Sequence, residues 1–349
     1  MDLGLILGTW DGNPADAEAM LATVQEAERS DYDIVWVPEA YGADAVTLMA
    51  WLASKTERIK VGSAILQIPA RQPTTTAMTA ATLESLFPGR IVLGLGISGP
   101  QVTEGWYGVA WDAPIERTRE YLDIVDLALR REPVAYAGRT ITVPRTDAYR
   151  PIKLIMKHHG RVPVYLAAIG PKNVELAGER ADGWLPSLVL PETHHLARQH
   201  LEKGAARAGR DVADIKVACS TAAVVTDDMV VGRRVYRPYL ALLIGGMGTA
   251  TKNFYNDLVS GYGYADEAAE ISRLYRTGRK HDAEALVPDA LIDGLTLIGD
   301  ETRIRARIAA FASAGIDTLS IAPSGRSIDE KLAVVRTVGA LARAERNNT

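Results

Sequence analysis

The chain has 349 residues, which at about 150 residues per domain suggests two domains, although strand–helix barrels often exceed about 250 residues as one unit. Apolar residues make up 47%, charged residues 23%, and the formal net charge is -4, a balance that speaks against a polyanion-binding surface and so against nucleic acid as a partner. The lone cysteine, Cys219, excludes an internal disulfide, no C-x-x-C or paired-histidine spacing offers a zinc site, and no run reaches about 18 uninterrupted apolar residues. The expectation is a cytoplasmic protein with no metal and no membrane span.

The run LGLIL (3–7) reads as a strand buried on both faces. Asn13 and Pro14 then supply a cap and a first helical position, and Met20, Leu21, Val24 and Ala27 recur at helical spacing. The same unit repeats with DIVWV (33–37) and the stripe Leu48, Met49, Leu52. It repeats again with IKVGSAIL (59–66), followed by a helix carrying Met78, Ala81, Leu83 and Leu86 that stops at Pro88 and Gly89. RIVLGL (90–95) opens a fourth unit, but from Ser98 to Trp111 glycines and aromatics replace the rhythm, and the next helix starts at Pro114. VAYAGRTITV (134–143) reads as a hairpin. VPVYLAA (162–168), residues 183–188 and IKVACSTAAVV (215–225) supply strands five to seven. Residues 228–296 lack a clear strand–helix rhythm, Asp300 caps the following helix, and DTLSI (317–321) is strand eight. Eight units close a parallel sheet with no free edge, so the predicted fold is α/β, a (β/α)8 TIM barrel in one domain over 1–349. Its excursions follow strands four (97–113) and seven (228–296). An open, doubly wound sheet is the alternative.

In such a barrel, function gathers at the carboxyl ends of the strands. GLGISG (94–99) spells G-x-G-x-x-G after a strand, but a dinucleotide fingerprint needs a helix opening within it, and none is expected before Pro114. In a barrel Gly96, Ile97, Ser98 and Gly99 instead leave the strand-four end bare enough for a flat ring to approach. AAIGPKN (167–173) ends strand five in small residues. Gly170 is read as allowing an unusual backbone angle, Pro171 as starting a helix whose free N–H groups cradle a phosphate, and Lys172 as adding a positive charge. Glu39 and Tyr41 sit where barrel enzymes carry catalytic side chains, against the plainer reading of a loop acid. Trp10, Trp106, Tyr107 and Trp111 supply aromatic wall. All six histidines read as solvated surface residues. IGGMG (244–248) and KNFYN (252–256) read as an ordered functional loop, or a dimer contact.

Together, WVPEAYG, IKVGSAILQIPAR, GRIVLGLGISGPQV, PVYLAAIGPKNVELAGERADGW, IGGMG and KNFYND resemble the luciferase-like oxidoreductases. Within them they are most similar to the branch that uses coenzyme F420, a 5-deazaflavin, including methylenetetrahydromethanopterin reductase-like proteins. The resemblance spans nearly the whole chain. It implies a non-prolyl cis peptide at the end of strand three, here Ala64–Ile65 beside Ser63, behind the ring. It also implies a phosphate held at Ala168, Ile169 and Gly170, and a homodimer. Similar alcohol and sugar-phosphate dehydrogenases have a histidine where this chain has Ala40 and a glutamate where it has Gly99. The methylene-pterin reductases carry a glutamate where it has Ile6. The resemblance implies hydride transfer between F420 and an unidentified small organic substrate, with Glu39, Tyr41 and Trp10 in the catalytic set. The alternatives are a flavin mononucleotide (FMN) monooxygenase of the same fold and a non-catalytic barrel that binds the cofactor.

Overall fold

The computed structural model describes residues 1–158, 160–249 and 252–346. Eight parallel strands form a closed ring: β1 (Asp2–Ile6), β2 (Ile34–Val37), β3 (Lys60–Ser63), β4 (Ile91–Gly96), β5 (Val164–Ala167), β6 (Gly183–Leu185), β7 (Lys216–Val225) and β8 (Thr318–Pro323). Each pairs with the next, and β8 pairs with β1 through Leu3↔Leu319 and Gly4↔Ser320. This is the expected TIM barrel, with the two anticipated excursions after β4 and β7.

The strands read as continuous apolar runs because both faces are covered. Leu3, Leu5, Val35, Val61, Leu93 and Leu319 point out to the helices, while Ile34, Trp36, Val92 and Ala218 form a separate inner cluster. Trp36 and Tyr165 meet edge to face inside the ring, with centroids 5.6 Å apart. Their bulk requires glycine opposite: a Cβ at Gly62 would lie 2.6 Å from the Trp36 ring, and one at Gly183 2.1 Å from Tyr165. Below this plug, at the amino ends of the strands, a cavity of about 460 Å³ is lined by Asp2, Lys60, Tyr165, Lys216 and Asp317. Two of its charges neutralise each other, Lys216 with Asp317 at 3.2 Å, and it lies at the opposite end from the strand-end loops that position chemistry in this fold. Cys219 is buried in the outer layer, where burial pushes its thiol pKa up.

Local signals operate as expected at the helix starts. Asn13 accepts from Ala15 N–H before the helix Pro14–Arg29, and Asp300 from Arg303 N–H before Glu301–Ser313. The hairpin forms from Tyr136–Ala137 and Thr142–Val143. Buried Glu120 holds its turn, accepting from the N–H groups of Arg139, Thr140 and Ile141.

Four readings change. A short helix, Pro100–Gly105, starts directly after GLGISG, well before Pro114. Six residues are too few to show a helical period, and Pro100 after Gly99 was its one signal. The second excursion is helical, with Met229–Ala241, Phe254–Val259, Ala265–Arg276, Lys280–Ala285 and Asp289–Leu295 around an apolar core that includes Leu240, Ile244, Ile271 and Ile292. Its segments are short and change direction often, which blurs the periodicity. Gly170 has φ -69° and ψ 146°, an ordinary extended conformation. His194 is 4% exposed, stacked on Trp184 at 5.4 Å, because it opens the helix His194–Arg207 against the barrel wall. His159 lies outside the described residues.

Candidate active site at the carboxyl rim of the barrel

The carboxyl ends of β1 to β5 bring most of the proposed residues to one mouth. At the end of β3 the chain turns through a cis peptide between Ala64 and Ile65, the bond the resemblance singled out, then re-enters the sheet as Leu66–Gln67 beside Leu95 and Gly96. Ile65 presses against bare β4 backbone: a Cβ at Gly96 would stand 2.5 Å from Ile65 Cδ1 and 3.3 Å from Ala167 Cβ. Gly96 is itself buried, and its lack of a side chain makes room for Ile65 and Ala167. Ile97, Ser98 and Gly99 continue the rim half-buried, Ser98 with φ +63°, and Gly99 has open space where a side chain would project. Ser63 departs from its assigned place: it is fully buried, its hydroxyl donating to Gly94 O (2.8 Å) and accepting from Gly94 N–H (2.9 Å), and so it joins β3 to β4.

After β5, Ala168 is buried, Ile169 and Gly170 are half-buried, and Pro171 and Lys172 are exposed at the start of the helix Pro171–Arg180. Gly170 O takes the N–H groups of Asn173 and Val174, whereas the N–H groups of Ile169, Gly170 and Lys172 have no partner among the described residues. Free donors at the positive end of a helix dipole, with a lysine beside them, favour an anion. Gly170 matters here because it leaves these donors uncovered.

Glu39 is 9% exposed and held by Arg71, whose two terminal nitrogens donate to its two oxygens at 2.5 and 2.8 Å. Ala45 N–H donates to Glu39 at 3.2 Å, and Arg71 also bonds Asp44 at 2.5 Å. Burial alone would lower the Arg71 pKa, but the hydrogen bond and charge of Glu39 outweigh it and hold it above its ordinary value. Burial, and then the negative charge of Glu39, raise the Tyr107 phenol. Tyr41 is 61% exposed and packs against Trp106 at 6.4 Å, while the Trp10 indole N–H donates to Asn13 O at 2.8 Å. Glu104 accepts from Trp111 N–H. The mouth thus has an aromatic edge and an ion cluster bracing the loops after β2 and β3.

Sequence reasoning passed over Arg71, Gln67, Asn173 and Trp184. Arg71 closes the IKVGSAILQIPAR segment, yet only the closed ring sets it opposite Glu39. Gln67 donates to Glu39 O, and its own Oε1 is buried without a partner; Asn173 donates weakly to Ala167 O, and its Oδ1 is likewise an orphan. Gln67 stands in register with Gly96, and Asn173 bonds the end of the strand Val164–Ala167. The uncovered N–H groups at the start of Pro171–Arg180 suit a molecule with an anionic tail. A deazaflavin with its ribityl phosphate fits that description. IGGMG and KNFYN, in contrast, are held to each other: Asn253 caps Phe254–Val259 and donates to Leu243 O and Ile244 O, and Asn256 donates to Ile244 O and Ala268 O.

A closed ring of eight parallel strands, with free N–H groups at its carboxyl rim, defines the protein as a (β/α)8 TIM barrel. Comparison with known proteins narrows this: the family model for luciferase-like monooxygenase matches residues 6–318, and the chain belongs to that family. It is 40% identical over 336 residues to a Mycobacterium tuberculosis protein named as a coenzyme F420-dependent oxidoreductase, covering 93% of this chain and 95% of that one. It is 26% identical over 317 residues to 5,10-methylenetetrahydromethanopterin reductase of Archaeoglobus fulgidus, covering 89% and 91%. The solved F420-dependent tetrahydromethanopterin reductase of Methanopyrus kandleri superposes with a TM-score of 0.81 at 22% identity, covering 99% of both chains.

Proposed function

We propose that the chain, as a single barrel domain with two excursions, is an F420-dependent oxidoreductase that transfers hydride between the deazaflavin and a small organic substrate at the carboxyl rim. The observation that carries this reading is the set of uncovered N–H groups of Ile169, Gly170 and Lys172 at the strand-five end, in a chain 40% identical to an F420-named protein. When bound, the deazaflavin supplies two-electron chemistry at a carbon and does not activate oxygen.

The chain's own residues supply placement. Ile65, packed on Gly96, backs the ring, Lys172 and the free N–H groups hold a phosphate, and Trp10, Trp106 and Tyr107 keep water from the reacting face. Glu39 acts as a positioning residue: both its oxygens accept from Arg71, so Glu39→Gln leaves the pH profile of turnover in place while loosening the loops. Tyr41 and Tyr107 are the phenols at the rim able to donate a proton. Titration of the purified chain with F420 and with FMN, followed by absorbance and fluorescence, tests the reading. Tight binding of F420 alone is expected, and FMN binding with oxygen-dependent product formation would replace it with a monooxygenase.

The partner is a second copy of the chain. The helix Pro73–Leu86 exposes Thr75, Met78, Thr82, Ser85 and Leu86, and its one charged residue, Glu84, is buried. A groove of about 630 Å³ beside it is lined by Met78, Ile152 and Ile155, the last 88% exposed. An outer barrel helix with no exposed charge suits a two-fold interface. Sedimentation should show a dimer, and Met78→Glu with Ile155→Glu should shift it to monomer.

A further inference from the structure

Trp184 is almost fully buried on β6, and its indole Nε1–H donates to Ala168 O at 2.9 Å. The indole is held in turn by His194, stacked on it with the rings 16° from parallel. Ala168 N–H reaches Leu185 O only at 3.4 Å, so the indole is the stronger tie between this loop and the barrel wall. The Ala168–Ile169 peptide is trans and planar, so its carbonyl and its N–H point in opposite directions. A carbonyl drawn into the wall by Trp184 therefore turns the Ile169 N–H outward, toward the mouth.

We infer that Trp184 is a positioning residue for phosphate recognition: through one hydrogen bond it orients the peptide whose N–H meets the phosphate of a bound cofactor. This rests on the cofactor reading above. The indole is 2% exposed, out of reach of a molecule at the rim, so its effect falls on the anion through the peptide and not on the ring. Asn173 buttresses the same loop from the helix side through Ala167 O, but at 3.4 Å it cannot replace the indole.

The test is a fluorescence titration of the full chain with two probes, coenzyme F420 and the same deazaflavin bearing only its ribityl chain, without phosphate. The unaltered protein should prefer the phosphate-bearing molecule. Trp184→Phe keeps an aromatic ring against His194 and removes the donor, and should weaken F420 binding about tenfold while leaving the phosphate-free probe within about twofold. Should Trp184→Phe fold poorly, a benzothiophene side chain incorporated at position 184 keeps the shape of the indole without its N–H, and the same ratio is expected. Equal weakening of both probes, or no change in either, overturns the inference and leaves Trp184 a packing residue. If the unaltered protein does not distinguish the two probes, the phosphate cradle itself falls, and the role of Trp184 with it.

Discussion

The barrel mouth and the helical excursion after β7 differ in how much of their order rests on an apolar core. At the mouth, chain segments far apart in sequence are tied by buried polar groups: Glu39 to Arg71, Trp184 to Ala168, Ser63 to Gly94. The excursion packs around an apolar core in which Asn253 and Asn256 bind carbonyls about ten residues away, and its first and last helices are joined by Arg233 to Asp293 and Arg237 to Asp289. It joins the mouth through Tyr262, whose hydroxyl donates to Leu188 O after β6. Polar ties hold exact orientations at the price of desolvation, which suits a place where donors must be aimed. An apolar core tolerates adjustment, which suits a cover.

Breaking the mouth should therefore cost more than breaking the cover. Arg71→Met strands the Glu39 carboxylate in a buried site and should destabilise the protein by about 3 to 5 kcal/mol, measured by denaturant titration; a loss below about 1 kcal/mol would show that water reaches Glu39 freely.

His194 gives a pH test of the same side. Burial, with lesser contributions from Arg198 and His195, lowers its pKa from 6.5 to about 4. The unfolded chain takes up a proton near pH 6.5 while the folded chain resists until about 4, so the unfolded state binds more protons in that window. Stability should fall as pH drops from about 6.5 toward 4, by on the order of 3 kcal/mol from this group. In His194→Phe that part of the slope should vanish from the pH dependence of the melting temperature.

Asn253→Ala, in the cover, removes a helix cap and two donated bonds from a buried side chain, and should cost about 2 kcal/mol. Hydrogen exchange should rise in 242–276 and not in the barrel strands; exchange spreading to β6 and β7 would show that cover and barrel are one cooperative unit. The smallest effect belongs to Gly170→Ala. A Cβ there meets nothing and the backbone angle is ordinary, so stability should change by no more than about 0.5 kcal/mol. Gly96→Ala, with Ile65 at 2.5 Å, should instead displace that side chain and weaken binding at the mouth.

The eight strands, their order in the chain and the places where the rhythm breaks were legible in the sequence, because a strand buried on both faces leaves a short continuous apolar run wherever it falls. The small residues that end β4 and β5 were legible too, since lacking a side chain is a property of the residue itself. Only the closed ring decided that Glu39 faces Arg71, that Trp184 reaches back to Ala168, and that His194 is buried. Those partners lie 10 to 32 positions apart, and nothing in a residue's identity states which neighbour will satisfy its hydrogen bonds. Apolar burial is set by composition along the chain, whereas polar pairing is set by geometry across it.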